Sequence, residues 1–301
     1  MTRPQTFDTA EQVGSYYDAN TRRFLRFGGS GESAAIHRQI WAPGVETTEE
    51  AFLYLNRLVA RGVQPALPLQ APPVLLDLGC GVGGTTTWLA EHLGVAVIGV
   101  TNSAVQRDYA VERAWHLGLE DRCRFLQADF MSLPVLGPLN AAYAIESFVH
   151  ASDGSRFFSQ ASQQLVLGGR LVICDDFLAQ PQAMAGGEAV CWLDRFRRDW
   201  HIHTLATVQA AREMAQQAGF RLVEAIDLSA FLRSFHPLVL SAVAWVTQLP
   251  LRLAYWQNLS GGAALQVCVL RGWTSYQALI FEKEAECTLS RSSEISSPSI
   301  V

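Results

Sequence analysis

The sequence predicts an α/β fold in which helices cover both faces of a parallel sheet, and three observations support this prediction. The chain has 301 residues, of which 49% are hydrophobic and 17% are charged, so it can bury a large core. Between about residues 74 and 177, short strand-like runs alternate with helical patterns, which is typical of βαβ units. A glycine-rich turn at residues 79–84 follows the first run.

The elements of this core can be placed in order along the chain. Strands are expected at residues 74–78, 96–100, 123–127, 139–145 and 170–174. Helices are expected between them at about residues 84–93, 103–116 and 156–165. Gly168 and Gly169 should end the last of these helices in a left-handed turn. This alternation predicts a doubly wound sheet.

The N-terminal region should cover the core. We assign residues 1–65 to a helical lid, in which residues 47–61 form a helix capped by Thr47 or Thr48. Acidic residues in the first turn of this helix complement its dipole. A Pro-rich segment at residues 66–73 separates the lid from the first strand.

The C-terminal region should complete the core and add an insertion. Residues 66–286 are expected to form the core domain, with further helices and strands at residues 189–200, 207–218, 220–226 and 275–283. An apolar insertion occupies about residues 228–260. Residues 287–301 are rich in Ser and are expected to form a disordered tail.

Composition and charge exclude several classes of function. The net charge is −5 and no run rich in Lys or Arg occurs, which disfavours a nucleic-acid partner. The first residues are polar and lack the apolar stretch of a secretory signal, so a cytoplasmic location is expected. The longest apolar stretch, residues 238–251, is shorter than the ~20 residues of a membrane span.

Metal and disulfide chemistry are not expected. The six cysteines are scattered and form no CxxC pair. His37, His201 and His203 have no carboxylates at ligand spacing, and lone histidines are usually structural residues.

The glycine-rich turn fits two classes of ligand. Gly79, Gly81 and Gly84 satisfy the pattern GxGxxG, so the glycines alone fit a dinucleotide oxidoreductase equally well. Asp77, at the end of the strand, would repel a pyrophosphate and suits a cationic ligand such as S-adenosylmethionine. The next strand ends in Thr101 and Asn102, where NAD enzymes place an acid for the ribose. These two positions favour S-adenosylmethionine over NAD(P).

Several segments resemble class I S-adenosylmethionine-dependent methyltransferases. Residues 77–84 are similar to the first motif of that family. Residues 98–106 resemble the variant second strand of the branch that contains tocopherol, sterol and coclaurine methyltransferases and the cyclopropane synthases. The adenine-binding segment, the fourth-strand motif, the turn before strand five and the N-terminal lid are also similar, at residues 127–130, 144–150, 167–171 and 16–18. The resemblance spans nearly the whole chain and implies a Rossmann-like fold, but the C-terminal third has no close match.

The resemblance implies a set of cofactor-binding residues. Asp129 would accept the adenine amino group and Phe130 would pack on the ring. Because Thr101 replaces the usual acid, neutral groups would share ribose binding. The full predicted set is Tyr16, Asp77, Gly79, Gly81, Thr101, Asn102, Gln106, Asp129, Phe130 and Glu146.

Two residues at the end of the fourth strand are candidate catalytic groups. Open parallel sheets bind ligands at this edge, at a topological switch point. We expect His150 to deprotonate or orient an acceptor hydroxyl while Glu146 holds it. If the acceptor is an alkene, the same pair would stabilise a carbocation. The alternatives are a capping or loop role for His150 and a purely cofactor-binding role for Glu146.

The apolar insertion suggests a lipophilic acceptor. Its aromatic residues, Phe231, Phe235, Trp245, Tyr255 and Trp256, are expected to roof a hydrophobic pocket, and the alternatives are packing on the core or a homodimer contact. Arg195, Arg197 and Arg198 form either a solvated helix face or an anion site.

The predicted function is O- or C-methylation of a lipophilic small molecule in secondary-metabolite biosynthesis, with S-adenosyl-L-methionine as cofactor. The alternatives are an NAD(P)-dependent oxidoreductase and a non-catalytic protein that binds the cofactor.

Overall fold

The structure is a computed structural model. It describes residues 13–15, 17–18, 20–21, 34–68, 72–180, 186–233, 236, 240, 243 and 254–284. Tyr16, much of the proposed lid, most of the apolar insertion and the tail at residues 287–301 lie outside the described residues. The lid, roof and tail assignments therefore stay predictions.

One sheet organises the described chain. Its strands are β1 (Val74–Leu78), β2 (Ala96–Thr101), β3 (Cys123–Gln127), β4 (Leu139–Ile145), β5 (Leu165–Leu178), β6 (Phe220–Asp227) and β7 (Thr274–Lys283). The order across the sheet is β3-β2-β1-β4-β5-β7-β6. The first five strands pair in parallel, and β7 is antiparallel to β5 and β6. The order of strand addition reverses between β1 and β4, since β2 and β3 lie on one side of β1 and β4 and β5 on the other. The predicted doubly wound α/β class is therefore confirmed.

Helices begin and end where the sequence carries capping signals. The described helices are α1 (Thr48–Val63), α2 (Gly84–Leu93), α3 (Ala104–His116), α4 (Gly154–Gln164), α5 (Gly187–Asp199), α6 (Val208–Gln217) and α7 (Ala254–Leu270). Thr47 caps α1 in a capping box with Glu50. Gly94 and Gly219 follow α2 and α6 in the left-handed conformation. The sequence did not predict α7.

The prediction for the end of α4 is wrong. Gly168 and Gly169 do not end this helix, because the helix stops at Gln164 and β5 starts at Leu165. Leu165 already pairs with Leu139, and the register then shifts before the next pair. The left-handed Gly168, with φ of 76°, lies inside the strand at this irregularity.

The core lies on both faces of the sheet and beyond its carboxyl edge. Residues of α1, α2 and α3 pack on one face, and Phe157 and Phe158 of α4 pack with α6 on the other. A third cluster joins α5 to α7, through residues such as Phe196 and Leu265. No helix among the described residues is both long and apolar enough to cross a membrane.

Candidate active site

A cavity of about 240 Å³ opens at the carboxyl ends of β1, β2, β4 and β5. Apart from Tyr16, it brings together every residue that was predicted to bind cofactor or catalyse: Asp77, Gly79, Gly81, Thr101, Asn102, Gln106, Asp129, Phe130, Glu146 and His150. Tyr17, the neighbour of Tyr16, also lines it. The sheet topology therefore assembles these positions at the switch point, although it does not by itself test their roles.

The glycine-rich turn packs closely against its neighbours. The amides of Gly79 and Cys80 donate to the Val100 carbonyl at 3.0 and 2.8 Å, which holds the turn against β2. Gly79 has φ of 109°, and a Cβ there would lie 2.4 Å from the Ser147 Cβ. Gly81 has φ of 52°, and among the described residues only the Ile36 side chain lies within 4 Å of its Cβ position. Glycine is required at 79 by contact with the protein, whereas at 81 it leaves backbone open to the cavity.

Asp77 is a buried carboxylate with one occupied oxygen. Its Oδ2 accepts hydrogen bonds from Thr86 Oγ1 at 2.6 Å and from Tyr143 Oη at 2.8 Å. Its Oδ1 accepts no hydrogen bond from the described residues. Burial raises the pKa of Asp77 to about 7, and the two hydrogen bonds oppose that rise. A cationic ligand in the cavity would favour the ionised form.

The end of β2 offers an amide to the cavity. Thr101 Oγ1 donates to Gln106 Oε1 at 2.9 Å and accepts from the Ser103 amide. The Thr101 hydroxyl therefore makes its hydrogen bonds within the protein. The Gln106 side-chain amide is fixed through its oxygen, and its nitrogen donates no hydrogen bond to the described residues. Asp18, from the N-terminal region, accepts from the Ser103 hydroxyl and the Val105 amide at the start of α3.

Asp129 and Phe130 form a short turn at the end of β3. Asp129 Oδ1 accepts from the Met131 amide at 2.8 Å, so this residue does cap a turn. The other carboxylate oxygen accepts no hydrogen bond from the described residues. Phe130 lines the cavity and makes an edge contact with Phe157, with ring centroids 5.6 Å apart.

Glu146 is held by Arg38 and Tyr276. Its Oε1 accepts from the Arg38 amide at 2.9 Å, from Arg38 Nε at 3.1 Å and from Tyr276 Oη at 2.9 Å. The backbone of Glu146 is left-handed, with φ of 51°, which is uncommon for a residue other than glycine. Burial is the largest single influence and raises the pKa of Glu146, but the charges of Arg38 and His37 and the hydrogen bonds from Arg38 and Tyr276 together outweigh it, so the pKa is lowered. Glu146 is thus an anion whose second oxygen, Oε2, has no donor among the described residues.

Arg38 also binds Asp176, at the end of β5. Its two terminal nitrogens lie 3.0 and 2.6 Å from the Asp176 carboxylate, and its guanidinium lies 4.1 Å from the centre of the Tyr276 ring. Asp175, which is fully buried, accepts from the Val149 and Asp176 amides, and burial raises its pKa well above the usual value. Arg38 therefore links the N-terminal region to the ends of β4 and β5.

His150 presents a basic nitrogen to the cavity. Its Nδ1 lies 3.1 Å from the His201 carbonyl oxygen, which can only accept, so Nδ1 carries the proton. Its Nε2 lies 2.8 Å from Tyr17 Oη, which then donates to the ring. Burial lowers the pKa of His150 to about 4, with smaller contributions from His201 and His203. The ring is therefore neutral near pH 7.

The expected contact between the two candidate catalytic residues is wrong. Glu146 does not hold His150, because both ring nitrogens of His150 lie against other groups: Nδ1 against the His201 carbonyl and Nε2 against Tyr17 Oη. The His201 carbonyl and Tyr17 orient the imidazole instead. His201, whose carbonyl makes this contact, has a left-handed backbone with φ of 54°.

Sequence reasoning missed other residues of the cavity. Asp175 and Asp176 directly follow the predicted strand at residues 170–174. Acidic residues at the ends of buried strands had indicated Asp77 and Glu146, so the same criterion could have identified these two. Arg38 had no such signal, because its partners are distant in sequence.

The arginines of α5 do not line the cavity. Arg195 donates to Ser260, Arg197 to the His203 carbonyl and Arg198 to Asp199. The interpretation as a helix face with structural contacts is favoured over an anion site. Among the described residues, no three His, Cys, Asp or Glu side chains are grouped so that they could hold a metal ion.

The donor set fits S-adenosylmethionine. Asp77 offers an anionic oxygen beside the exposed backbone of Gly81, as an ammonium group requires. Gln106 and Asp129 offer neutral and anionic groups further along the cavity. Among the described residues, no arginine or lysine lines this part of the cavity to neutralise a pyrophosphate.

Similarity to known proteins identifies the family of this chain. The model of a methyltransferase domain matches residues 75–169. The methyltransferase GfsG of Streptomyces halstedii is 31% identical over 240 residues, which cover 77% of this chain and 81% of that protein. The 27-O-demethylrifamycin SV methyltransferase of Amycolatopsis mediterranei is 34% identical over 190 residues, which cover 63% of this chain and 65% of that protein. The crystal structure of the (4+2)-cyclase SpnF superposes with a TM-score of 0.71 and 26% identity, over 92% of this chain and 98% of that chain.

The chain therefore belongs to the class I S-adenosylmethionine-dependent methyltransferases, as the sequence motifs implied. It is an enzyme whose cofactor is S-adenosyl-L-methionine, and the oxidoreductase alternative gains no support.

Proposed function

We propose that this enzyme methylates a hydroxyl group of a neutral, lipophilic small molecule in secondary-metabolite biosynthesis, with His150 as the general base. One observation carries the proposal: the His201 carbonyl fixes the tautomer of His150 so that Nε2 holds a lone pair in the cavity. The lowered pKa keeps that lone pair available at neutral pH. An alcohol or phenol must lose a proton when its oxygen is methylated, and an unprotonated imidazole nitrogen can accept it.

The cofactor would be held along the line of predicted residues. Asp77 Oδ1 and the backbone at Gly79 and Gly81 would bind the amino-acid end. The Gln106 amide and Asn102 would bind the ribose, and Asp129 with Phe130 would bind the adenine. Each of these groups lines the cavity, which supports the assignment.

The protein contributes positioning and proton transfer. When bound, S-adenosylmethionine supplies a methyl group that its sulfonium already activates. The acceptor hydroxyl would replace Tyr17 Oη at His150 Nε2, and this nitrogen would take the hydroxyl proton as the oxygen gains the methyl group, the S–CH₃ bond breaks and S-adenosylhomocysteine is released. Alignment of two reactants can contribute roughly 7–11 kcal/mol, whereas a general base contributes about 10²–10⁴ in rate. We therefore expect geometry to contribute more than acid/base chemistry.

Glu146 would stabilise positive charge near the acceptor. Arg38 and Tyr276 fix one of its oxygens, so the other is a rigid anionic acceptor of hydrogen bonds. A second hydroxyl of the acceptor could donate to it. An anionic group would be repelled by Glu146, whose pKa is lowered, and the neighbouring cation Arg38 is already paired with Glu146 and Asp176. These contacts favour a neutral acceptor.

Isotope labelling tests the reaction. The purified enzyme would be incubated with S-adenosylmethionine that carries a trideuterated methyl group, and with a panel of lipophilic alcohols, phenols and alkenes. We expect a labelled methoxy product by mass spectrometry and NMR, and its loss in His150→Ala. A label on carbon would contradict O-methylation. A product of unchanged mass, formed only with cofactor present, would indicate catalysis without methyl transfer, the class of reaction for which SpnF is named.

A further inference from the structure

A second cavity, of about 450 Å³, lies between the N-terminal region and α7. Ile36, Trp41 and Phe52 line one side of it. The opposite side is one face of α7, formed by residues at helical spacing: Asn258, Leu259, Gly262, Ala263, Leu265, Gln266 and Val269. Leu232, Arg233 and Val243 contribute at its edge.

The two cavities are neighbours. Residues 35–38, Trp200 and Asn258 line both of them. Trp200 forms the partition: its Nε1 donates to the Asn258 carbonyl at 3.0 Å. Gly261 lets the indole approach the helix, because a Cβ there would lie 2.3 Å from Trp200 Cδ1. The helix and the indole are thus packed so that space remains on both sides of the ring.

Most charged and polar groups of the second cavity are already paired or exposed, whereas the buried Nε2 of His37 has no hydrogen-bond partner among the described residues. Arg38 binds Asp176 and Glu146, and Gln39 Oε1 accepts from Trp41 Nε1 at 3.1 Å. Arg233 is exposed and its guanidinium stacks on Trp41. No carboxylate lines this cavity among the described residues. The lining therefore suits an apolar group, because an apolar ligand leaves no buried charge unpaired.

The first cavity, of about 240 Å³, contains the predicted cofactor-binding groups as well as His150, so the cofactor and the reacting group of the acceptor would share it. The second cavity, of about 450 Å³, adds space beside it for the rest of the acceptor.

We propose that the acceptor is an elongated, neutral amphiphile whose apolar tail passes Trp200 and occupies the second cavity, while its hydroxyl lies at His150. This inference rests on the proposed function for the identity of the ligand. It adds a tail-binding site built by α7 and the N-terminal region, and it predicts that the length of the acceptor's apolar chain determines affinity.

Two phenols and variants of α7 test this site. The probes are 4-methylphenol and 4-octylphenol, titrated by calorimetry into enzyme saturated with S-adenosylhomocysteine. Gly262→Leu would fill the second cavity, and Gly262→Ala is the matched control, since its Cβ would make an ordinary contact of 3.4 Å with Trp200. Both substitutions raise helix propensity, so neither should weaken α7. Val269→Phe narrows the same cavity from two turns further along the helix.

We expect the unmodified enzyme to bind 4-octylphenol at least about tenfold more tightly than 4-methylphenol. Gly262→Leu and Val269→Phe should remove most of this preference, whereas Gly262→Ala should keep it. Affinity for S-adenosylhomocysteine should stay within about twofold in all variants. The inference is overturned if the unmodified enzyme shows no preference for the longer chain, or if both filling variants retain it. If the preference behaves as expected but neither phenol is methylated, the tail site stands and the proposed reaction fails.

Discussion

The amide and the guanidinium of Arg38 bind the same oxygen of Glu146, at 2.9 and 3.1 Å, across 108 residues of sequence. The same guanidinium binds Asp176 at 2.6 Å, where the Arg38 side chain is 22% exposed and the Asp176 side chain 3%. This contact connects residues 35–38, which line the cavity, to the ends of β4 and β5, where the candidate catalytic groups lie. The cluster of Arg38, Glu146 and Asp176 therefore stabilises the fold and also forms part of the site.

Arg38→Gln should destabilise the fold strongly. The variant leaves the buried Asp176 and the partly exposed Glu146 without their cation, and removal of one partner of a buried pair typically costs about 3–5 kcal/mol. The matched control is Arg61→Gln, because the Arg61–Glu224 pair is 56% and 41% exposed and should contribute only about 0–1 kcal/mol. Urea unfolding measures both free energies. Equal losses in the two variants would show that the cluster around Arg38 adds no stability.

Asp77 should make cofactor binding depend on pH. Burial raises the pKa of this carboxylate to about 7 in the unliganded protein, and the ammonium of S-adenosylhomocysteine should bind its ionised form. Affinity is then full above pH 7 and falls below it, by about tenfold for each pH unit, and binding near pH 7 releases a proton. Calorimetry between pH 6 and pH 8 measures this change.

Two variants test whether the pH dependence of cofactor binding comes from Asp77 and not from another titratable group. Asp77→Asn should bind more weakly and lose the pH dependence. Tyr143→Phe removes a hydrogen bond that lowers the pKa of Asp77, so its affinity should begin to fall at a higher pH. A constant affinity from pH 6 to pH 8 in the unmodified protein would contradict this role.

The sequence predicted the parts of the site that depend on local pattern. Buried parallel strands carry nearly continuous apolar runs, so the bounds of β1 and β4 were predicted correctly. The bounds of β3, a partly exposed edge strand, were also predicted correctly. Asp77 and Glu146 follow such runs, and strand ends meet at one edge, so their convergence was also predictable.

Contacts that depend on tertiary packing could not be predicted. Nothing in the spacing shows that Arg38 reaches Asp176, 138 residues away. The proton on His150 Nδ1 is fixed by a backbone carbonyl 51 residues away, and a carbonyl leaves no signature in sequence. Gly168 resembled a helix end because glycine permits the same left-handed conformation in a helix cap and in a strand irregularity.

Gly79→Ala should lower the free energy of unfolding more than Gly94→Ala does. At position 79 a Cβ would lie 2.4 Å from Ser147 and φ is 109°, so strain and steric overlap together should cost about 2–5 kcal/mol. At position 94 φ is 65° and nothing lies within 4 Å, so only about 1–2 kcal/mol of backbone strain is expected. Thermal unfolding and S-adenosylhomocysteine titration measure the outcome. Normal cofactor affinity in Gly79→Ala would show that the turn does not shape the site.

His150→Ala should lower kcat by about 10²–10⁴ while leaving affinity for S-adenosylhomocysteine intact, because the imidazole acts on the acceptor. Tyr17→Phe should lower it by less than about tenfold, since the lone pair on Nε2 survives. Turnover of the acceptor found by labelling measures both. His203→Asn removes another imidazole from the same cavity and serves as the control. Because the pKa of His150 is about 4, the loss of activity due to its protonation should appear only as the pH falls toward 4. An equal loss in the His203 variant, or an imidazole titration between pH 6 and pH 8, would exclude His150 as the base.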